Sequence, residues 1–231
     1  MKNDLLNMNT NIHTLHWNII PYQKAWDQQE VLFNETIAEK LQGHETSNYL
    51  VLCEHPHVFT LGKNGAMANL LVNHTQLQAV HAEFLQTNRG GDITYHGPGQ
   101  LVGYPIFDLD NFKLGLKQFI DKMETAIIEV LSQYDIQAGR MPKATGVWLD
   151  VENPSRSRKI CAIGVRSSHF VTMHGFALNV STDLNYFSYI NPCGFVDKGV
   201  TSMQQELGRV VPMSEVKMKV EKAFERIFCS E

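Results

Sequence analysis

The chain has 231 residues, of which 43% are hydrophobic and 19% charged, with a formal net charge of -4 and a pI near 6.2. That length suits one large domain with a substantial core. The acidic balance excludes the basic footprint of a general nucleic-acid binder, and no apolar run reaches the length of a membrane span.

Residues 1–15 are expected to form a flexible lead, and 16–231 a single folded domain. The polar start, MKNDLLNMNTNIHTLHW, lacks the basic and apolar regions of a secretory signal. From Tyr22 to Leu41, apolar residues such as Ala25, Trp26, Phe33 and Ile37 recur at helical spacing. YLVLC (49–53) reads as a buried strand, followed by a loop, EHPHVFTLGKNG. DITYH and LVGYPIF read as strands on either side of the turn HGPGQ. Residues 115–133 carry the apolar stripe of an amphipathic helix. GVWLD (146–150), KICAIGV (159–165) and FVTMHGFALNV (170–180) are further strands, and a last helix runs from Ser214 to Phe228. Strands clustered in the middle, with helices before, between and after them, predict an α+β sheet covered by helices.

The stretch RGGDITYHGPGQLVGYPIFDL is unusual for a strand region because glycine weakens strand interiors. Glycines bare the backbone where it would approach a ligand, and exposed N–H groups suit a carbonyl or carboxylate. The spacing matches neither a Walker loop nor a dinucleotide fingerprint, and a glycine-rich hairpin with a structural histidine explains it equally well. Cys53, Cys161, Cys193 and Cys229 lack CxxC spacing, which suits free thiols in a reducing cytoplasm. Cys193 sits among loop formers in INPCGF, although a free cysteine is more often a small core residue. Lys159 lies in a basic run with Arg156, Arg158 and Arg166. Cys161 is a rival nucleophile, expected on the same strand face as Lys159 but set in an apolar run. Cys53, His55 and His57 alternate like metal ligands. Pro56 interrupts them and no fourth ligand is evident, so no metal is expected and His55 is read as shaping a pocket.

RGGDITYHGPGQLVGYPI closely resembles the signature of the lipoyl(octanoyl) transferases, the octanoyltransferases of lipoate biosynthesis. EHPHVFTLG, KICAIGV, HGFALNV, INPCG and a later TSM follow in the same order. His57 stands where the family often has a second proline, and VENPSRS looks like an added turn. The resemblance implies a single catalytic domain with a mixed β-sheet covered by helices, the fold of biotin and lipoyl protein ligases (class II synthetase-like). It implies that Cys193 carries the acyl group as a thioester and that Lys159 lowers the thiol pKa and manages protons. It assigns substrate binding to Arg89, Gly90, Gly91, Asp92, Ile93, Thr94, Tyr95 and His96, with Arg89 and His96 at the pocket mouth. It adds Ala162, Ile163 and Gly164, together with Gly175, Phe176 and Ala177. The implied donor is octanoyl-acyl carrier protein, through its phosphopantetheine thioester. The acceptors are lipoyl domains of 2-oxoacid dehydrogenase complexes and the glycine cleavage H protein. No cofactor, ATP, nucleic acid or membrane is implied, and the basic run would dock the acidic carrier. The alternatives are an ATP-dependent lipoate or biotin ligase and a non-catalytic acyl-carrier-binding module.

Overall fold

A computed structural model of the chain describes residues 9–191 and 199–229. The first strand, β1 (Ile12–Ile19), pairs in parallel with β2 (Asn48–Glu54), and helix α1 (Tyr22–Leu41) makes the crossover between them. Beyond β2 the large sheet continues through β6 (Gln100–Ile106), β10 (Val171–Asn179), β9 (Arg158–Ser168), β8 (Ala144–Leu149) and β7 (Ala138–Met141). A short strand, β11 (Gly199–Val200), adds to β9 in parallel, while the pairs from β2 to β7 are antiparallel. The sheet is therefore mixed. Every residue of β6 and β10 is buried, because both faces of these central strands are covered.

One face carries α3 (Leu116–Ser132) and α5 (Met213–Cys229). In α5, Val216, Val220, Ala223, Phe224 and Phe228 repeat on one helical stripe and pack with Leu50, Leu101, Phe176 and Leu178 of the sheet. Over part of the opposite face lies α1, sharing a core with Val51, Cys53, Val102, Tyr104 and Ala177. Above the rest of that face stands a small sheet of β3 (Val58–Leu61), β4 (Glu83–Gln86) and β5 (Ile93–His96), in the order β4-β3-β5. The space between the two sheets becomes the site.

Several expectations need correction. The lead expected to be flexible over residues 1–15 contains the start of β1, whose Leu15 and Trp17 pack beside the α1 core. Its polar-interrupted sequence gains a strand partner only from β2, far along the chain. The loop expected at EHPHVFTLGKNG contains β3, all four of whose residues are buried. β5 and β6 do not pair with each other across HGPGQ; the turn carries the chain from the small sheet to the large one. The helices α2 (His74–Ala79) and α4 (Met203–Leu207) were not anticipated.

Candidate active site

A cavity of about 420 Å³ lies between the sheets, within the range of about 300–1,000 Å³ usual for small-molecule sites. Its floor is built from small residues on adjacent strands. Ala162 faces Ala177 and Gly164 faces Gly175 across the β9–β10 ladder, with Val102 and Tyr104 of β6 alongside. Ile163 and Phe176 border the cavity, but their side chains belong to the core beneath. The Phe176 ring stacks with Phe224 at 5.5 Å, in room left by Gly103.

The glycine-rich run closes one side by close backbone packing. Gly90 N–H donates to the Val165 carbonyl at 3.0 Å, and a Cβ on Gly164 would lie 2.7 Å from the Gly90 oxygen. Gly91 has φ +84, a conformation that side chains other than glycine's rarely adopt. Arg89, 7% exposed, is a wall of the cavity rather than its mouth. Its Nη2 donates to the Thr60 carbonyl at 2.6 Å, and its Nε donates to the Thr60 hydroxyl at 3.2 Å. His96 is likewise an inner wall, at 6% exposure. Gly91, Asp92, Ile93 and Thr94 also line the cavity.

Two residues of this run do not line it. Gly90 faces β9. Tyr95 turns away into the aromatic cluster of Phe59, Tyr186 and Phe187, and its hydroxyl meets His57 Nδ1 at 2.7 Å. For Tyr95 strand alternation explains this, since its immediate neighbours Thr94 and His96 face the cavity and successive side chains of an extended chain point opposite ways. His55 stands one layer behind the wall, with Nε2 at 2.6 Å from the Tyr104 hydroxyl and Nδ1 at 2.7 Å from the Ile20 carbonyl. His55 and His57 thus serve different clusters. Among the described residues no group of three or more His, Cys, Asp or Glu is placed to hold a metal ion.

Lys159 lines the other end, with Trp148, Lys143, Thr145, Gly199 and Val200. Its ammonium sits 4.7 Å from the centre of the Trp148 ring. Its backbone is held between Trp148 of β8 and Val200 of β11, and Thr201 N–H donates to its carbonyl at 3.0 Å. The expectation that Cys161 shares its face is overturned. The β8–β9 register skips Ile160 between Val147↔Cys161 and Trp148↔Lys159, a β-bulge that reverses the alternation. Cys161 consequently lies in the helix-covered core, fully buried, with its thiol pKa pushed up by burial. The basic cluster also dissolves. Arg158 pairs with Asp150 and, at 2.6 Å, with Glu206, Arg156 lies 4.0 Å from Asp150, and Arg166 sits over the Phe33 ring. Cys193 lies outside the described residues. The chain leaves them at Asn191, whose N–H donates to the Asn69 carbonyl at 2.8 Å, and re-enters at Gly199 beside Lys159.

Sequence reasoning missed Tyr22, Gln100, Tyr104, Trp148, His174 and Asn179 as lining residues. For Gln100, Tyr104, His174 and Asn179 the available signal was polarity inside fully buried strands, which calls for a reason. His55, His96 and His174 are all held neutral. Burial lowers His55 to about 4 and, assisted by Arg89 and Arg166, lowers His174 to about 3. Burial, with His55 and Arg89 nearby, takes His96 well below the ordinary range. Below the ordinary histidine pKa of about 6.5 the unfolded chain therefore binds more protons than the folded one, so stability falls as pH falls. Each imidazole contributes about 1.4 kcal/mol per pH unit, or about 2 kcal/mol between pH 6.5 and 5. Urea midpoints at pH 7 and pH 5 should differ strongly. Equal midpoints would mean that these rings are charged or solvated in the folded state.

The family model described as the lipoyl protein ligase A/B catalytic domain matches residues 21–225. An octanoyltransferase of Bacteroides thetaiotaomicron is 58% identical over 205 residues, covering 89% of this chain and 90% of its own. That of Christiangramia forsetii is 48% identical over 231 residues, covering 97% and 98%. Among solved structures, a bipartite lipoate protein ligase from Thermoplasma acidophilum superimposes with TM-score 0.66 at 16% identity, over 96% of this chain and 86% of that one. The biotin protein ligase of Aquifex aeolicus in complex with biotin and ATP gives 0.54 at 14% identity, over 95% and 70%. These two likenesses concern the fold.

Proposed function

The chain belongs to the lipoyl protein ligase A/B catalytic family, as an acyltransferase of its octanoyltransferase branch, and from that premise we propose a two-step transfer through Cys193. In the first step the Cys193 thiolate attacks the octanoyl thioester on the phosphopantetheine arm of acyl carrier protein. A carbon–sulfur bond to Cys193 forms as the donor's breaks, and the carrier leaves as a thiol after taking up a proton. In the second step the neutral amine of a lipoyl-domain lysine attacks the enzyme thioester. The amide forms, the amine gives up a proton, and the Cys193 thiolate is regenerated. Thioester exchange is close to neutral and amide formation from a thioester is downhill, so no ATP is needed.

The observation that carries this reading is a cavity with a small-residue floor that ends at a lysine ammonium. Gly199 and Val200, shortly after Cys193 in the chain, line that same end. A cation beside the thiol favours the thiolate, and backbone N–H groups near the carbonyl would hold the oxyanion. Of the residues assigned to substrate binding, Gly91 to Thr94, Ala162, Gly164, Gly175 and Ala177 would contact the acyl chain or its carbonyl. Arg89 and His96 would hold the wall, and Gly90 and Tyr95 would support it from behind. The acceptors would be lipoyl domains of 2-oxoacid dehydrogenase complexes and the glycine cleavage H protein. Free thiols suit a reducing cytoplasm, and among the described residues no helix is long and apolar enough to cross a membrane.

An ATP-dependent ligase is the second reading, favoured by the fold shared with biotin and lipoate ligases. Incubating the protein with octanoyl-carrier protein and a lipoyl domain, with ATP removed by apyrase, separates the two. Octanoyl-lipoyl domain should accumulate without ATP. Transfer that appears only with ATP and free octanoate would assign the chain to the ligases.

A further inference from the structure

Along one wall of the cavity a series of side-chain amides connects its two ends. Asn179 Nδ2 donates to the Thr201 carbonyl at 2.9 Å, and Gln100 Nε2 donates to Asn179 Oδ1 at 2.9 Å and to the Tyr95 carbonyl at 3.1 Å. Gln100 Oε1 lies 2.8 Å from His96 Nδ1, and His96 Nε2 lies 3.4 Å from the Thr60 hydroxyl, which takes donors from Arg89. Asn179, Gln100, His96 and Arg89 all line the cavity.

Donor and acceptor chemistry fixes every orientation in this line. A backbone carbonyl only accepts, so the Thr201 oxygen forces the Asn179 amino group toward it and turns Oδ1 to Gln100. The Tyr95 carbonyl and Asn179 Oδ1 together demand both Gln100 protons, leaving Oε1 as an acceptor for His96. Nδ1 must therefore carry the imidazole proton, and Nε2 is left as a lone pair. Thr60, already accepting from Arg89, has its own proton free to give to Nε2. The Thr201 that starts the line donates its N–H to the Lys159 carbonyl.

We propose that Gln100 and Asn179 are positioning residues: they impose the neutral Nδ1–H form on His96 and, through Thr60 and Thr201, fix the Arg89 wall relative to the Lys159 end. The groups facing His96 agree with an uncharged ring. Tyr22 of α1 stacks on it at 5.5 Å, His55 meets it edge-on at 5.9 Å, and Arg89 and His174 disfavour a second positive charge. The lone pair of His96 Nε2 is then turned to the Thr60 hydroxyl rather than to the reacting amine, and proton traffic falls to the Lys159 end. The role in catalysis rests on the transfer reading above, whereas the tautomer does not.

The test is nitrogen-15 NMR of the histidine side chains in the intact protein. His96 should show a protonated Nδ1 and a lone-pair Nε2 from pH 5 to pH 9, without titrating. An Nε2–H tautomer or an imidazolium at pH 7 would overturn the proposal whether or not the enzyme transfers octanoate. Gln100→Glu places a carboxylate against Nδ1 and removes the donors, so the ring should titrate near neutrality and octanoyl transfer should gain a matching pH dependence. Asn179→Asp sets acceptor against acceptor at Thr201 and should slow transfer about tenfold or more. A folded Gln100→Glu protein with an unchanged His96 signal and pH profile would also overturn it.

Discussion

Cys193→Ser will lower octanoyl transfer by at least about 10³-fold while leaving the fold and thermal midpoint unchanged. A cysteine at pH 7 is a few per cent thiolate even unassisted and is intrinsically very nucleophilic, whereas serine needs a dedicated base. His96 is directed by Gln100 to hold its proton on Nδ1 and to face Thr60 with Nε2, and His55 is committed to Tyr104 and the Ile20 carbonyl. Neither ring is placed to activate a serine hydroxyl. Groups that act as a unit lose most of their effect when the nucleophile goes, so the loss should approach that of removing the whole pair. Steady-state transfer to a lipoyl domain measures it, with circular dichroism confirming the fold. A serine variant retaining more than about a tenth of the rate would remove Cys193 from the reaction, since nucleophile losses are far larger.

Lys159→Ala should slow acylation by about 10²- to 10⁴-fold, the span typical of positioned proton-transfer and charge-stabilising groups. The effect should depend on pH. Without the ammonium, a thiol at position 193 returns toward the ordinary cysteine pKa of about 8.5, so the variant's rate should climb as pH rises through that range. The wild-type rate should already be level there. Alanine also vacates the face of Trp148, whose indole stays fixed by its bond to the Ala144 carbonyl at 2.9 Å, so the backbone pairing of β9 should persist. Stopped acylation assays across pH would read this directly. An unchanged rate at pH 7 would take Lys159 out of the mechanism.

Much of this architecture could be read from the sequence, for identifiable reasons. The helices α1, α3 and α5 announce themselves through apolar stripes that depend on their own residues alone. The buried runs of β2, β6 and β10 are equally plain, since strands covered on both faces carry few polar side chains. β1, β3 and β4 are short or interrupted by polar residues, and become strands only through partners elsewhere in the chain.

The candidate site divides in the same way. The glycines of RGG and the small pairs Ala162–Ala177 and Gly164–Gly175 were visible as residues that leave space. The bulge at Ile160 was not, because it is set by the register that β8 imposes, and it alone separates Lys159 from Cys161. The dispersal of Arg156, Arg158 and Arg166 among Asp150, Glu206 and Phe33 depends equally on tertiary neighbours. Nor could the sequence show that His96 of the small sheet, Gln100 and Asn179 of β6 and β10 in the large one, and Thr201 just after β11 form one hydrogen-bonded line.

The most direct measurement of the central claim is intact mass after mixing the protein with octanoyl-carrier protein and no acceptor. The protein should gain the mass of one octanoyl group, labile to hydroxylamine as a thioester is, and digestion should place it on the peptide containing Cys193. Transfer that proceeds with no such adduct, or an adduct on Cys53, Cys161 or Cys229, would contradict the account.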